Sequence, residues 1–172
     1  PRAKKQGCEV MQIFVQSPQM FKTPKTTESE VDLFKLSLKK YGIKDVYVHA
    51  PYLINLASLN PKIRYGSVSL IRNNLERASL LGCSFLITHL GSYGEQTEKQ
   101  GLKKVSESIN KALSGYKGAT KFLLELSAGS GKIIGSRFEE IVFLRSALKQ
   151  FNLGVCLDTA HIFASGYDLC GH

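Results

Sequence analysis

The chain is 172 residues long, 43% hydrophobic and 22% charged, a balance that fits one soluble globular domain and excludes disordered and collagen-like classes. No apolar run approaches the roughly 18 residues of a membrane span, and the N-terminal PRAKKQGCEV, which begins with Pro, lacks the apolar stretch of a secretory signal. Its 23 basic and 14 acidic residues leave a formal net charge of +9, which favours anionic partners and disfavours cationic ones.

The first apolar run, EVMQIFV (9–15), has the length and near-continuous hydrophobicity of a strand buried on both faces. Residues 28–41 switch to helical spacing, with Val31, Phe34, Leu38 and Tyr41 on one stripe. Thr27 to Glu30 fits a capping box there, and Gly42 fits the stop. DVYVH (45–49) is the second strand, and Ile71, Leu75 and Ala78 mark a helix over 67–81 that Gly82 ends. SFLITH (84–89) is the third strand, followed by a helix over 101–113 on Leu102, Val105, Ile109 and Leu113. KFLLE (121–125), a less regular helix over 137–149 with Phe138, Ile141, Arg145 and Leu148, and GVCLD (154–158) complete the series. This alternation predicts the α/β class with parallel strands and right-handed crossovers, as an open doubly wound sheet or a (β/α)8 barrel. No glycine-rich fingerprint follows the first strand, and SAGSGK (127–132) lacks P-loop spacing, so no nucleotide cofactor is expected.

Cys8, Cys83, Cys156 and Cys170 form no C-x-x-C pair and read as reduced thiols of a cytoplasmic protein, not as a zinc–thiolate site. The basic residues are dispersed, Lys39, Lys40, Lys103, Lys104 and Lys149 among them, so a solvated basic surface and a nucleic-acid footprint are equal readings of the charge.

Four strands end on a residue able to bind a metal or move a proton: His49, His89, Glu125 and Asp158, at intervals of one βα unit. In a parallel barrel all strand C-termini emerge on one rim, where these side chains converge and His161 joins them from the loop after the fifth strand. Singly, such a His reads as a structural hydrogen-bonding residue and such an Asp as a helix cap. Together they form a mixed N/O donor set suited to Zn²⁺, Mn²⁺ or Fe²⁺ and not to Ca²⁺. Clustered carboxylates repel unless cations lie between them, so a multinuclear centre is expected.

HAPYLIN (49–55), THLGS (88–92), LELSAG (124–129) and GVCLDTAHIFASGYD (154–168) together resemble the endonuclease IV family of apurinic/apyrimidinic endonucleases, in order and over essentially the whole chain. The resemblance implies a (β/α)8 barrel with up to three Zn²⁺ at its C-terminal rim, cleaving duplex DNA 5′ to an abasic site and leaving a 3′-hydroxyl. Carried over, His49, His89 and Glu125 hold one metal, Glu125 bridges to a second that takes Asp158, and His161 ligates a third. Glu125 and Asp158 are then also the catalytic carboxylates, and Tyr52 belongs to a DNA-penetrating loop. QSPQMFK (16–22) resembles the first DNA-contacting loop, with Gln19 where an intercalating Arg can occur, and Ala160 stands where the family usually has Cys.

A barrel of this kind usually needs about 250 residues. The resemblance therefore implies a further strand before Pro1 and two after His172, so that residues 1–172 are five of eight strands of one incomplete domain. That leaves an internal fragment, inactive alone and monomeric once completed, or a degenerate paralogue. A xylose-isomerase-like sugar isomerase or epimerase and a non-catalytic DNA-binding relative are the competing functions. Tyr93, Phe122 and Phe143 are expected to serve packing, Ser92 and Ser127 are rim hydroxyls within reach of a phosphate, and His172 carries no function.

Overall fold

Every strand read from the sequence forms, and each is followed by a helix. The computed structural model describes residues 1–21, 24–169 and 171. A short helix α1 (Arg2–Lys5) precedes β1 (Val10–Ile13), α2 (Glu28–Tyr41), β2 (Asp45–His49), α3 (Pro61–Leu81) and β3 (Phe85–Thr88). There follow α4 (Glu98–Leu113), β4 (Lys121–Glu125), α5 (Phe138–Ala147), β5 (Gly154–Cys156) and α6 (Thr159–Ala164). Lys22 of the QSPQMFK loop, Cys170 and His172 lie outside the described residues.

The sheet is wholly parallel, in the order β1-β2-β3-β4-β5. A doubly wound sheet reverses its strand order so that crossovers cover both faces. Here each crossover advances one strand in the same direction, which puts the helices on one face, as in a (β/α)8 barrel wall. The chain is thus part of such a barrel, and the doubly wound alternative is excluded.

Strand periodicity then sorts the side chains. Val46, Val48, Leu86, Phe122 and Leu124 point at the helices and are almost fully buried. On the other side Tyr47 and Phe85 stack with ring centroids 5.3 Å apart, and they and Leu123 are half-buried. The expectation of strands buried on both faces is met fully on the helix side and in part on the other, where His49, Ile87 and Glu125 are buried but Tyr47, Phe85 and Leu123 are only half-buried.

The helix signals act as read. Thr27 Oγ1 accepts from Glu30 N (3.3 Å) while Thr27 N donates to Glu30 Oε2 (2.8 Å), and Gly42 and Gly82 end α2 and α3 in left-handed conformations. Two helices start earlier than their apolar stripes. Asn60 caps α3 with Pro61 in its first turn, and Thr97 forms a capping box with Gln100 ahead of α4. Three strands are shorter than read, since β1 stops at Ile13, β3 at Thr88 and β5 at Cys156. Of the three aromatic residues assigned to packing, Phe122 is core and Tyr93 packs against it, but Phe143 is 46% exposed because it lies on the outer face of α5.

Candidate metal centre

Parallel pairing puts register partners on the same side of the sheet, and alternate residues along a strand return to that side. His49 pairs with Ile87, Ile87 with Leu123 and Leu123 with Gly154. Two residues beyond Ile87 is His89, two beyond Leu123 is Glu125, and four beyond Gly154 is Asp158, so all four fall on the side turned away from the helices. Only His49 and Glu125 are the last residues of their strands; His89 is one residue past β3, and Asp158 two past β5.

His161 is on α6 and not in a loop. Asp158 Oδ1 accepts from His161 N at 3.0 Å and so starts a helix at once, which turns the His161 ring back over the sheet end. Tyr167, near the end of the same run, stacks edge-on against Phe138 and accepts from Phe138 N at 3.4 Å, tying this segment to α5.

Glu125 is at the centre. Its Oε2 is 2.9 Å from His49 Nε2 and 3.4 Å from His89 Nδ1, and its Oε1 is 3.5 Å from His161 Nδ1. His161 Nδ1 is in turn 3.8 Å from Asp158 Oδ2. The donors fall into two overlapping groups, His49–His89–Glu125 and Glu125–Asp158–His161, each within 4.8 Å, with Glu125 common to both. His161 thus lies beside Glu125 and Asp158, and its Nδ1 is also 3.1 Å from Leu126 O, which can only accept, so Nε2 is the nitrogen left to bind a metal. The three imidazoles form a row, with centroids 5.2 Å apart from His49 to His89 and again from His89 to His161.

This donor set fits a first-row divalent ion. Ligands about 2.0–2.1 Å from a tetrahedral zinc lie about 3.3 Å from one another, and the four contacts above run from 2.9 to 3.8 Å. His49 adds a chemical reason. Its Nδ1 is 2.7 Å from Ala50 O, which can only accept, so that nitrogen carries the proton. In the neutral ring Nε2 then presents a lone pair to a carboxylate oxygen, a contact that requires a proton or a cation between them. A backbone carbonyl on the far nitrogen is also the usual support of a metal-bound histidine.

The titration shifts agree with the geometry. Burial pulls the His49 imidazole down, but its hydrogen bonds to Glu125 and the Ala50 carbonyl outweigh that and raise it. Burial lowers His89, with Glu125 opposing and the two neighbouring imidazoles adding to the fall. The backbone N–H of His161 holds Asp158 below the usual carboxylate range.

A cleft of about 460 Å³ opens beside the cluster, lined by His89, His161, Tyr52, Asn55, Ser127 and Ile133 among others. Tyr52 is 62% exposed there. Gln19 is exposed in the loop after β1 and belongs to neither donor group. Ser127 is buried with its hydroxyl 3.2 Å from His89 Nδ1, so it serves the cluster before any phosphate. Two positioning residues escaped the sequence reading. Phe14 packs against both His49 and Tyr52, with centroids at 5.6 and 5.4 Å, but looked like one more strand residue. Asn55 Oδ1 accepts from Ala57 N and Ser92 N, joining two rim loops. The glycine of THLGS was its signal: Gly91 has φ +94°, and a Cβ there would lie 2.4 Å from Asn55 Oδ1.

Residues 1–170 match the family described as Xylose isomerase-like TIM barrel. The chain is 35% identical over 169 residues to the probable endonuclease 4 of Halothermothrix orenii, covering 98% of this chain and 61% of that protein. The crystal structure of endonuclease IV from Thermus thermophilus superposes with a TM-score of 0.83 at 32% identity, over 95% of this chain and 57% of that one. D-allulose 3-epimerase from Methylomonas sp. superposes with a TM-score of 0.73 at 16% identity, over 95% of this chain and 56% of that one, a likeness of fold alone. The chain spans about three-fifths of the length of the curated relatives it matches. No helix among the described residues is long and apolar enough to cross a membrane.

Proposed function

Because the chain belongs to the endonuclease IV family, whose fold is the xylose isomerase-like TIM barrel, we propose that it forms the greater part of a zinc-dependent DNA repair endonuclease. Its substrate is duplex DNA carrying an abasic site, and it hydrolyses the phosphodiester 5′ to that site, leaving a 3′-hydroxyl. The observation that carries this reading is Glu125, a buried carboxylate within 3.5 Å of histidines from three other rim segments.

His49, His89 and Glu125 would hold one zinc, and Glu125, Asp158 and His161 would contribute to further sites. Mn²⁺ or Fe²⁺ would satisfy the same donors. Bound metal supplies a lowered pKa for water and neutralises charge on the phosphate and on the leaving oxygen. The residues of this chain set the conditions for that chemistry. Ala50 O fixes the His49 ring, Ser127 braces His89, and the cap at α6 aims His161. Tyr52, backed by Phe14, presents an exposed ring beside the cluster, suited to stack where the abasic nucleotide leaves the helix. Extruding such a nucleotide forfeits little stacking, which favours it over an intact one. The net charge of +9 draws in the polyanion, so binding should weaken as salt rises.

In the whole protein, further strands complete the barrel and the ligand set, and residues 1–172 alone are inactive. The test is incision of a duplex with a single abasic site by the whole protein, with end-group analysis, zinc content and a ketose isomerisation control. About three zinc ions per molecule, chelator-sensitive nicking and a 3′-hydroxyl product are expected. Ketose turnover without nicking would replace this reading with a sugar isomerase, and robust incision by residues 1–172 would refute the need for the further strands.

A further inference from the structure

A buried amide relay ties the loop after β1 to α3. Asn74, fully buried on α3, donates from Nδ2 to Leu70 O (2.8 Å) and to Gln16 Oε1 (3.0 Å). Gln16, also buried, donates from Nε2 to Met20 O at 2.7 Å. Backbone carbonyls only accept, so the nitrogen of each amide must face its carbonyl, and Gln16 Oε1 is left as the acceptor between the two side chains. Neither amide can flip without setting like against like.

Packing does not account for the asparagine. Its Oδ1 is buried with no hydrogen-bond partner, a desolvation cost that a leucine of the same branched shape would avoid. What the amide achieves is a fixed loop. Phe21 lies over Gly66 of α3, where a Cβ would meet Phe21 Cε1 at 3.3 Å, and Arg77, one turn after Asn74, donates to Pro24 O. The loop is therefore held at its start, middle and end by one helix. Between those anchors Pro18 O accepts from Tyr52 N at 3.1 Å, which passes the restraint to the next rim loop.

We propose that Asn74 is a positioning residue for recognition of abasic DNA: acting through Gln16, it holds residues 16–21 and, across Pro18, the backbone of Tyr52 in the conformation that meets the duplex. This rests on the DNA reading above. A loop that samples other conformations binds from only a fraction of them, and affinity falls by that fraction. Loss of the Asn74–Gln16 hydrogen bond corresponds to about a tenfold loss.

The test uses the whole protein with Asn74→Leu, Gln16→Ala and the double variant. Gln16→Ala cuts the same relay from the loop side and keeps the test decisive if Asn74→Leu misfolds. KM for nicking of an abasic duplex should rise about tenfold in each with kcat within about twofold, since a smaller folded fraction would lower kcat and leave KM alone. The double variant should be no worse than either single one. Amide exchange over residues 17–21 should quicken with zinc content unchanged. Additive losses, unchanged exchange in the loop, or quicker exchange with unaltered KM would each overturn the proposal. If the unaltered protein binds abasic and intact duplexes alike, the DNA reading itself fails, and that outcome is distinct because it appears before any substitution.

Discussion

Two glutamates are equally buried and held in opposite ways. Glu140 opens α5, and its partners are donors from the residues just before it: Gly135 N at 3.1 Å, Arg137 N at 3.0 Å and Ser136 Oγ at 3.5 Å. These include the amides that any helix start leaves without intrahelical acceptors, so the carboxylate completes the fold and its field suits the helix N-terminus. Glu125 closes β4 and faces imidazoles from three other segments, up to 76 residues away along the chain. The His49 and His89 nitrogens that face it can each offer a lone pair in place of a proton. Burial of a carboxylate is therefore common to a helix cap and to a candidate metal site. What separates them is whether the partners must donate and how far along the chain they come from.

Replacing each glutamate in the whole protein tests that distinction most severely. Glu125→Gln keeps the volume but removes the shared charge from both donor groups, so zinc content should fall and abasic-site nicking should drop about 10³-fold. Its melting temperature should stay within a few degrees. Glu140→Leu should do the reverse, stranding two amides and costing about 2–3 kcal/mol in a urea titration, while zinc per folded molecule is kept. If Glu140→Leu empties the metal sites, or Glu125→Gln unfolds the protein while retaining zinc, the contrast is wrong.

Asp158 belongs to both kinds at once, since Oδ1 caps α6 and Oδ2 faces His161. Two variants separate the roles. Asp158→Ser keeps a capping oxygen, so stability should hold while zinc content falls. Asp158→Ala should lose the same zinc and about 1 kcal/mol besides, by loss of the cap. Equal stability of the two in thermal melts would show that the cap contributes nothing.

The same contrast explains what could be read from the sequence. Glu140 and Thr27 follow local grammar, a capping residue and its helix within four positions, and such features needed no tertiary knowledge. His49, His89, Glu125 and Asp158 were legible for a different reason: parallel strands carry their ends to one rim whatever the helices between them do. Asp158 reads from the sequence as cap or as ligand, and in the fold Oδ1 caps α6 while Oδ2 lies 3.8 Å from His161 Nδ1. His161 reads from the sequence as a loop residue because the helix that carries it is only six residues long and shows no periodicity. Asn74 and Gln16 were invisible, because a polar residue in a helical stripe looks solvent-facing until the loop it holds is seen across 58 residues of chain.

The smallest effect concerns β3, which has a titratable group near each end. Just past its C-terminal end, His89 joins the donor cluster. Before its first residue, Cys83 is buried. Burial, and then the charge of Asp45, push its thiol up to about 11. An unfolded thiol titrates near 8.5, so above that pH the unfolded chain releases a proton that the folded chain keeps, and unfolding becomes easier. The full contribution to stability is present below pH 8.5 and is lost as pH rises toward 11, by just under about 1 kcal/mol at pH 9. Urea midpoints at pH 7 and 9 should therefore converge in Cys83→Ala relative to the unaltered chain. Any cavity left by the substitution lowers both midpoints equally and cancels. An identical pH slope in the two proteins would mean that Cys83 ionises in the folded state as readily as in the unfolded one. In that case the N-terminal end of the sheet would be open to water, and only the rim end would hold its titratable groups in a built environment.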